Sequence, residues 1–522
     1  MREIKVKKIV VLGGGAAGWL SAVLLLHHQY EVTLIESKTI PTIGVGESTQ
    51  PLVTSYLGYC DLKQTDWMPH CNATYKYGVI FDGWSDNQFM VDSESSAFSS
   101  LDSTTYNTYN MHDAAIATGM SAKDFFNWCP PYQMAIHNKS PKFGKERLNY
   151  LHGHTTEPPN AVQWDSVNTR DYLYKVAIDR GLTYIQDDVL TANLDQDEYI
   201  TDIVTQEHGN ISGDIYIDCT GFNSVLLEKI YNIPWLSAED VLPNNNAIAI
   251  RKKYTNPQQE CHPYTRSTAM DSGWLWTIPT YNDIAYGYVY SDKYISKDDA
   301  EQELRTKINE WDASATHIPF KSGARQKIAH KNVIAAGLAA GFVEPLEATS
   351  LAFTCIAIGN LNKLLYETNG VYKEQYSPML NKTFQGVVFE IINFIFMHYK
   401  ASTKNDTVYW QDASAQQVPD ICKPVYEAAV NGPMSQTEFQ DLIMKDVPQW
   451  RYLDPSTPMF QSWHWWQLLR GSGWYDNVKK TYSNDFIKYG KYVLDVHKHR
   501  TDKVLEFFPN HYDFLKEWYE FS

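Results

Sequence analysis

The chain has 522 residues with a formal net charge of −16, 43% of them hydrophobic and 20% charged, the composition of a globular protein with a large buried core. That acidic balance argues against nucleic acid and anionic membrane surfaces, which select basic patches, and leaves small molecules as the expected partners. Seven scattered cysteines form no C-x-x-C pair and sixteen histidines no H-E-x-x-H, so free thiols in a reducing cytoplasm are expected and a metal is not.

MREIKVKK runs into an apolar segment as a secretory leader does. Glycines break that run and an acidic strand end follows, so folded structure is expected instead. Lys8 to Leu12 read as a strand, Gly13 to Gly18 as a turn, Trp19 to His28 as a helix and Glu31 to Glu36 as a second strand. Gly13, Gly15 and Gly18 spell G-x-G-x-x-G, and Glu36 closes the next strand. Such glycines admit a pyrophosphate to the backbone, the helix N-terminus meets its charge, and the acid accepts from ribose hydroxyls. Gly13, Gly15, Ala16, Ala17, Gly18 and Glu36 are therefore the expected dinucleotide contacts.

TYKYGVIFDGW (74–84) alternates like one strand, with Tyr75, Tyr77, Val79 and Phe81 on one face and Lys76, Gly78, Ile80 and Asp82 on the other. A lysine at a solvated sheet edge is the ordinary reading. Gly78 and Ile80 make a poor solvent face, however, and a covered lysine is pushed toward its neutral amine.

Short strands follow from Thr183 to Phe222, and DIYIDCTGF (214–222) ends in D-x-T-G, as FAD folds do where they return to the nucleotide domain. Residues 245–292 are strand-like again. Within them GWLWTIP (273–279) puts Trp274 and Trp276 on one strand face and Leu275 and Thr277 on the other, a pattern core packing alone explains. Residues 328–361 read as strand, glycine-rich loop and apolar helix. In FVEPLEATS (342–350) Pro345 stiffens the loop, and Ala348-Thr349-Ser350 opens a helix, either with a plain N-cap or with free N–H groups for a small anion.

After about residue 375 the chain turns helical and aromatic. FEIINFIFMHY (389–399) is too short and polar to span a bilayer, and SWHWW (462–466) reads mainly as core. No G-x-S-x-G elbow supports serine catalysis. Only one nucleotide fingerprint occurs, which points to reduced flavin arriving from a separate NAD(P)H-dependent flavin reductase.

Taken together these segments resemble the flavin-dependent halogenases of the tryptophan-halogenase type. GGGAAGW (13–19) resembles their FAD fingerprint, and VGESTQP (45–51) their G-E-A-T-x-P strap, from which Ser48 and Gln50 depart. GWLWTIP matches their W-x-W-x-I-P in full, GLAAGFVEPLEATSL (337–351) their second flavin and halide segment, and HYKASTKNDTVYW (398–410) their helical module. The matches run from residue 8 to about 475.

The resemblance implies an α/β fold: an FAD-binding Rossmann-like module of the flavin monooxygenase type with mixed sheets over 1–375, then a mainly helical substrate module over 376–522. It implies FAD as FADH2, O2 and a halide ion, with Gly46, Glu47, Ser48, Thr49, Val189, Leu338 and Leu351 as further flavin contacts. Lys76 and Glu347 fall at the catalytic positions, Thr349 and Ser350 at the halide site, and Glu344 is structural. Many relatives carry Gly where Ser350 stands, which leaves chloride, bromide and iodide open. Trp274 and Trp276 become a gatekeeping wall between flavin and substrate. Hypohalous acid, made from halide with reduced FAD and O2, would pass to Lys76 and halogenate an electron-rich indole or phenol, free tryptophan among them. In 452–473 no tyrosine pair followed by a carboxylate clamp stands out. A flavin monooxygenase that hydroxylates or epoxidises, and a flavin-binding protein without turnover, are the alternatives; neither explains Lys76, Glu347 and W-x-W-x-I-P together. Lysine exceeds arginine, as in an AT-rich genome of a marine bacterium or phage, and a homo-oligomer is compatible with all of this.

Overall fold

The computed structural model describes residues 2–40, 44–93, 111–142, 161–442 except 421, 436 and 440, and 459–520. Lys8–Leu12 and Glu31–Glu36, rich in β-branched residues, pair in parallel with Ile9 against Val32 and Leu12 against Ile35. Ile215–Asp218 pairs in parallel on the other side of Lys8–Leu12, so the D-x-T-G strand does return to the nucleotide end. Thr183–Gln186 extends one side and Val333–Ala335 and Ala329–His330 the other, giving a six-stranded sheet that is parallel except at its last edge. The helix after the first strand spans Ala16–His27, beginning earlier than Trp19 because Gly15 already serves as its N-cap. It is buried continuously from Gly18 to Leu26, between this sheet and the helices Ser166–Asp179 and Ser350–Glu367.

A seven-stranded sheet runs in the order Ala315–Pro319, Asn246–Lys253, Asp283–Tyr290, Gly273–Pro279, Thr265–Met270, Gly78–Asp82, Phe89–Asp92. It is antiparallel except where Thr265–Met270 meets Gly78–Asp82. The expected two faces of the tryptophan strand are present. Trp274 and Trp276 join the main core, while Leu275 joins a smaller one with Ile248, Tyr288 and Leu304. A third sheet has three strands, Gly46–Ser48, Ala161–Asp165 and Thr74–Lys76.

The stretch 74–84 is therefore not one strand. Thr74–Lys76 lies in the three-stranded sheet and Gly78–Asp82 in the seven-stranded one. Tyr77 is the joint: its N–H donates to Pro263 O and its carbonyl accepts from Ser93 N, both at 2.7 Å. Every residue from Thr74 to Phe81 is buried, so the solvated-edge reading of Lys76 fails. The alternation misled because both faces of both short strands are covered.

Helices Ser377–Ala401, Val408–Ala415, Lys423–Val430, Ser462–Gly471, Asn484–Phe507 and His511–Glu520 make up the C-terminal part. The last of them closes over the lysine strand: Tyr75 N donates to His511 Nε2 (3.2 Å), and the Tyr75 ring stacks on Trp518 at 5.7 Å. Among the described residues no helix is long and apolar enough to cross a membrane. All seven cysteines are unpaired and buried. Of the stretch 452–473, residues 452–458 lie outside the described residues.

Candidate functional site

The glycine turn sits at the carboxyl ends of the parallel strands, where open α/β sheets bind ligands. A methyl on Gly13 (φ 109°) would lie 2.3 Å from Cys219 O, and one on Gly18 would lie 1.9 Å from Gly13 O. Those two glycines pack the turn against the D-x-T-G strand and its own helix. At Gly15 nothing stands within 4 Å of the same position, and the helix it caps has no side-chain cap. Free N–H groups facing open space fit a pyrophosphate. The Trp19 indole N–H donates to Gly14 O (2.8 Å) and closes the turn from below, while Ala16 and Ala17 form the first helical turn.

Glu36 ends its strand beside Gly14 and accepts from Tyr184 OH (2.7 Å). Val189 begins the strand Val189–Leu194, just after Asp187, whose N–H donates to Glu36 O (2.9 Å). Leu338 lies in the turn Gly337–Ala339, where Gly337 (φ 59°) lets the chain pass Ala17. The glycine turn is therefore closely packed at Gly13 and Gly18 and open at Gly15.

The strap Gly46–Ser48 and the residues after it lead away from that cradle toward the lysine. Gly46 packs so closely on Ala285 that a Cβ would lie 2.6 Å from it. Glu47 accepts from the Trp164 indole (3.1 Å), and burial pushes its carboxyl up to about 7. The Ser48 hydroxyl accepts from Thr265 Oγ1 (2.9 Å). Thr49 is pinned through its N–H and hydroxyl to Val162.

Two contacts then tie the strap to the two expected catalytic residues. Lys76 Nζ donates to Thr49 O (3.0 Å), and the side-chain amide of Gln50 donates to Glu347 O. Lys76 is fully buried, and burial lowers it to about 8, against the raising pull of Glu347. Lys76 and Glu347, far apart in sequence, thus share one enclosed site.

Pro345–Glu347 is a short turn, Ala348 takes the left-handed conformation (φ 56°, ψ 43°), and Ser350–Glu367 is the helix. Strain of about 1–2 kcal/mol at a non-glycine residue there turns the chain sharply into the helix. Thr349 holds the N-cap position, yet its side chain caps nothing. Its buried hydroxyl has no partner among the described residues, nor does that of Thr354 in the same helix. The plain N-cap reading of Thr349 fails, and the first N–H groups of the helix have no side-chain cap.

The loop's two glutamates behave differently. Glu344 accepts from Asn244 Nδ2 (2.7 Å), which also donates to Tyr399 OH (2.8 Å), and burial pushes its carboxyl up to about 7. The Trp274 indole N–H approaches that carboxyl without completing a hydrogen bond. Glu347, 2% exposed, meets His398 Nε2 through Oε1 at 2.9 Å. Trp276 lies flat over Gly287, where a Cβ would fall 1.8 Å from its ring, and the two indoles are 6.2 Å apart.

Sequence reasoning missed His398, Gln50 and Asn244. A signal existed for His398. The apolar helix Ser377–Ala401 carries Glu390, Asn393 and His398 among buried residues, and buried polar groups need partners. In SWHWW, Trp465 and Trp466 are core as expected, while Trp463 is partly exposed with an unpartnered indole N–H among the described residues.

A family model described as tryptophan halogenase matches residues 8–483. The chain is 34% identical to the tryptophan 6-halogenase SttH of Streptomyces toxytricini, over 83% of this chain and 86% of that protein. It is 33% identical to the 7-chloro-L-tryptophan 6-halogenase KtzR of Kutzneria sp. (strain 744), over 79% and 83% respectively. The crystal structure of SttH superposes with a TM-score of 0.85 at 29% identity, covering 98% of this chain and 99% of that one. Tar14, a tryptophan C-6 flavin-dependent halogenase (chlorinase) from taromycin biosynthesis, gives 0.82 at 27%, covering 98% and 99%.

Proposed function

The chain belongs to the tryptophan halogenase family, and from that premise we propose that Lys76 and Glu347 carry its arene chemistry. It is a flavin-dependent halogenase, of a family that uses FADH2, O2 and halide and generally takes its reduced flavin from a separate reductase. The observation that carries the assignment is the enclosed meeting of Lys76 and Glu347 through adjacent strap residues Thr49 and Gln50.

FAD would be held by Gly13, Gly15, Ala16, Ala17, Gly18 and Glu36, with the strap from Gly46 to Thr49 and Val189, Leu338 and Leu351 around it. The open space at Gly15 supports that assignment. When bound in its reduced form, with O2, it supplies the two-electron oxidation of halide to hypohalous acid. Thr349 and Ser350 would hold the halide, with the free helix N–H groups and the unpartnered Thr349 hydroxyl as donors. Lys76 would hold the hypohalous acid by hydrogen bonding: near 8, its side chain is mostly ammonium at neutral pH. Glu347 would take the proton from the substituted ring, a contribution typically worth about 10²–10⁴-fold. Trp274 and Trp276 would separate the two chemistries; a Trp274→Val/Trp276→Val protein that folds and yields only halogenated product removes that role.

The substrate is an electron-rich arene of the indole or phenol type, and the relatives' named activities make free tryptophan the first to test. An arene panel with reduced FAD in chloride, bromide or iodide, read by mass spectrometry, should give a halide-dependent product. Lys76→Ala should lower it at least about a hundredfold. A product of the same mass with and without halide would mean oxygenation, and full halogenation by Lys76→Ala would overturn the lysine assignment.

A further inference from the structure

Glu347 is held from two sides. Gln50 holds its backbone carbonyl, and His398 meets its side chain. His398 is fully enclosed, with its ring 4.9 Å from Phe81, 4.8 Å from Phe394 and 6.4 Å from Trp84. Its other nitrogen, Nδ1, lies 2.8 Å from Phe394 O.

Those two contacts fix the proton count. A carbonyl oxygen only accepts, so Nδ1 must carry a hydrogen. A neutral imidazole with its hydrogen on Nδ1 presents a bare lone pair at Nε2. A carboxylate 2.9 Å from that lone pair would be two acceptors facing each other. A second proton must therefore lie between Nε2 and Oε1. The titratable groups nearest the pair are few. Lys76 acts on Glu347 from the strand Thr74–Lys76. On the same loop Glu344 engages Asn244, and on His398's own helix Glu390 accepts from Phe460 N. The faces from Gly78–Asp82 and from Trp84 are rings.

We propose that His398 is a positioning residue for Glu347: it donates the shared proton from Nε2 to Oε1, keeps Glu347 a carboxylate and so presents Oε2 as the oxygen that takes the arene proton. This rests on Glu347 being the base. The step balances as hypohalous acid plus arene giving haloarene plus water. The carbon–halogen bond forms as the halogen–oxygen bond breaks, and the oxygen leaves as water with a proton from the Lys76 ammonium. The ring C–H bond then breaks, its electrons return to the ring, and its proton passes to Oε2. Proton exchange with solvent returns a proton to Lys76.

His398→Gln tests this, because a glutamine can donate to Glu347 yet cannot exchange a proton with it. With FAD affinity and arene KM near wild type, kcat should fall at least about tenfold, with an altered pH profile. Hypohalous acid captured by an added thioether should stay unchanged. His398→Gln/Glu347→Gln should be no slower than Glu347→Gln alone. A wild-type kcat in His398→Gln, or a further loss in the double variant, overturns the proposal while leaving Glu347 as base. A wild-type rate in Glu347→Gln instead overturns the reading it rests on. ¹⁵N NMR of the flavin-free wild-type protein is independent of activity. Hydrogens at both Nδ1 and the Nε2–Oε1 bridge are expected, the latter lost in Glu347→Gln, and a ring with a single hydrogen overturns the proposal.

Discussion

The nucleotide end of the six-stranded sheet and the enclosure around Lys76 use the backbone in opposite ways. At the first, three glycines and an uncapped helix leave N–H groups facing open space above Gly15. At the second, aromatic rings and a C-terminal helix fill the space, and Lys76 and Glu347 are 0% and 2% exposed. An open, polar cradle loses little stability by waiting for its ligand. A closed site strengthens every charge interaction inside it, and the fold carries the cost of burying those charges.

Two substitutions two residues apart break that comparison most sharply. Gly13→Ala should cost about 4 kcal/mol, since the new methyl meets Cys219 O at 2.3 Å and φ is 109°. Gly15→Ala, with φ −78° and nothing within 4 Å, should leave stability within about 0.5 kcal/mol. It should nevertheless weaken FAD by about tenfold in a fluorescence titration, because the methyl stands where a phosphate approaches. Unchanged FAD affinity in Gly15→Ala would move the pyrophosphate elsewhere.

The closed end predicts a gain instead of a loss. Burial lowers Lys76 from 10.5 to about 8, so between those values the unfolded chain binds the extra proton. The penalty, about 3 kcal/mol, is therefore complete below pH 8 and is relieved as pH rises toward 10.5. Lys76→Met should remove it, less the hydrogen bond to Thr49 O, and stabilise the protein by about 2 kcal/mol at pH 7. That advantage should shrink to near zero by about pH 10, as urea unfolding at several pH values will tell. In the wild-type enzyme an ammonium donor also requires single-turnover halogenation to fall as pH rises past about 8. A rate that climbs there would assign the halogen to a neutral amine.

The two ends were also unequally legible in the sequence. The nucleotide fingerprint is local: strand, glycines, helix and Glu36 follow one another, and only the helix start was misjudged, because Gly15 caps as well as turns. The lysine end is assembled from five separated segments, and residue identity said little about who meets whom. Alternation placed Lys76 on a plausible face of a strand that is in fact broken at Tyr77. At Thr349 the sequence left cap and anion site both open, and the side chain caps nothing. His398 sat in a segment whose length and polarity were weighed only against a membrane span, although its buried polar residues were the informative feature. What the resemblance to halogenases added was the pairing of segments, which no single stretch encodes.

Gln50, where the strap departs from the family's commonest form, gives the finest test of how the two ends communicate. Its amide is the one contact from strap to the Glu347 carbonyl among the described residues, and its neighbour Thr49 takes the Lys76 ammonium. Gln50→Leu keeps the volume and removes the donor, so the carbonyl is left short of a partner at a cost of about 1 kcal/mol. If the contact only fills hydrogen-bonding capacity, halogenation should fall in step with the folded fraction and no further. If it aligns Glu347 with Lys76, as their shared dependence on adjacent residues implies, kcat should fall about threefold to fivefold in fully folded protein, with FAD affinity unchanged. Single-turnover halogenation beside a flavin titration separates the two, and a loss of FAD affinity with normal kcat would instead assign Gln50 to the cradle.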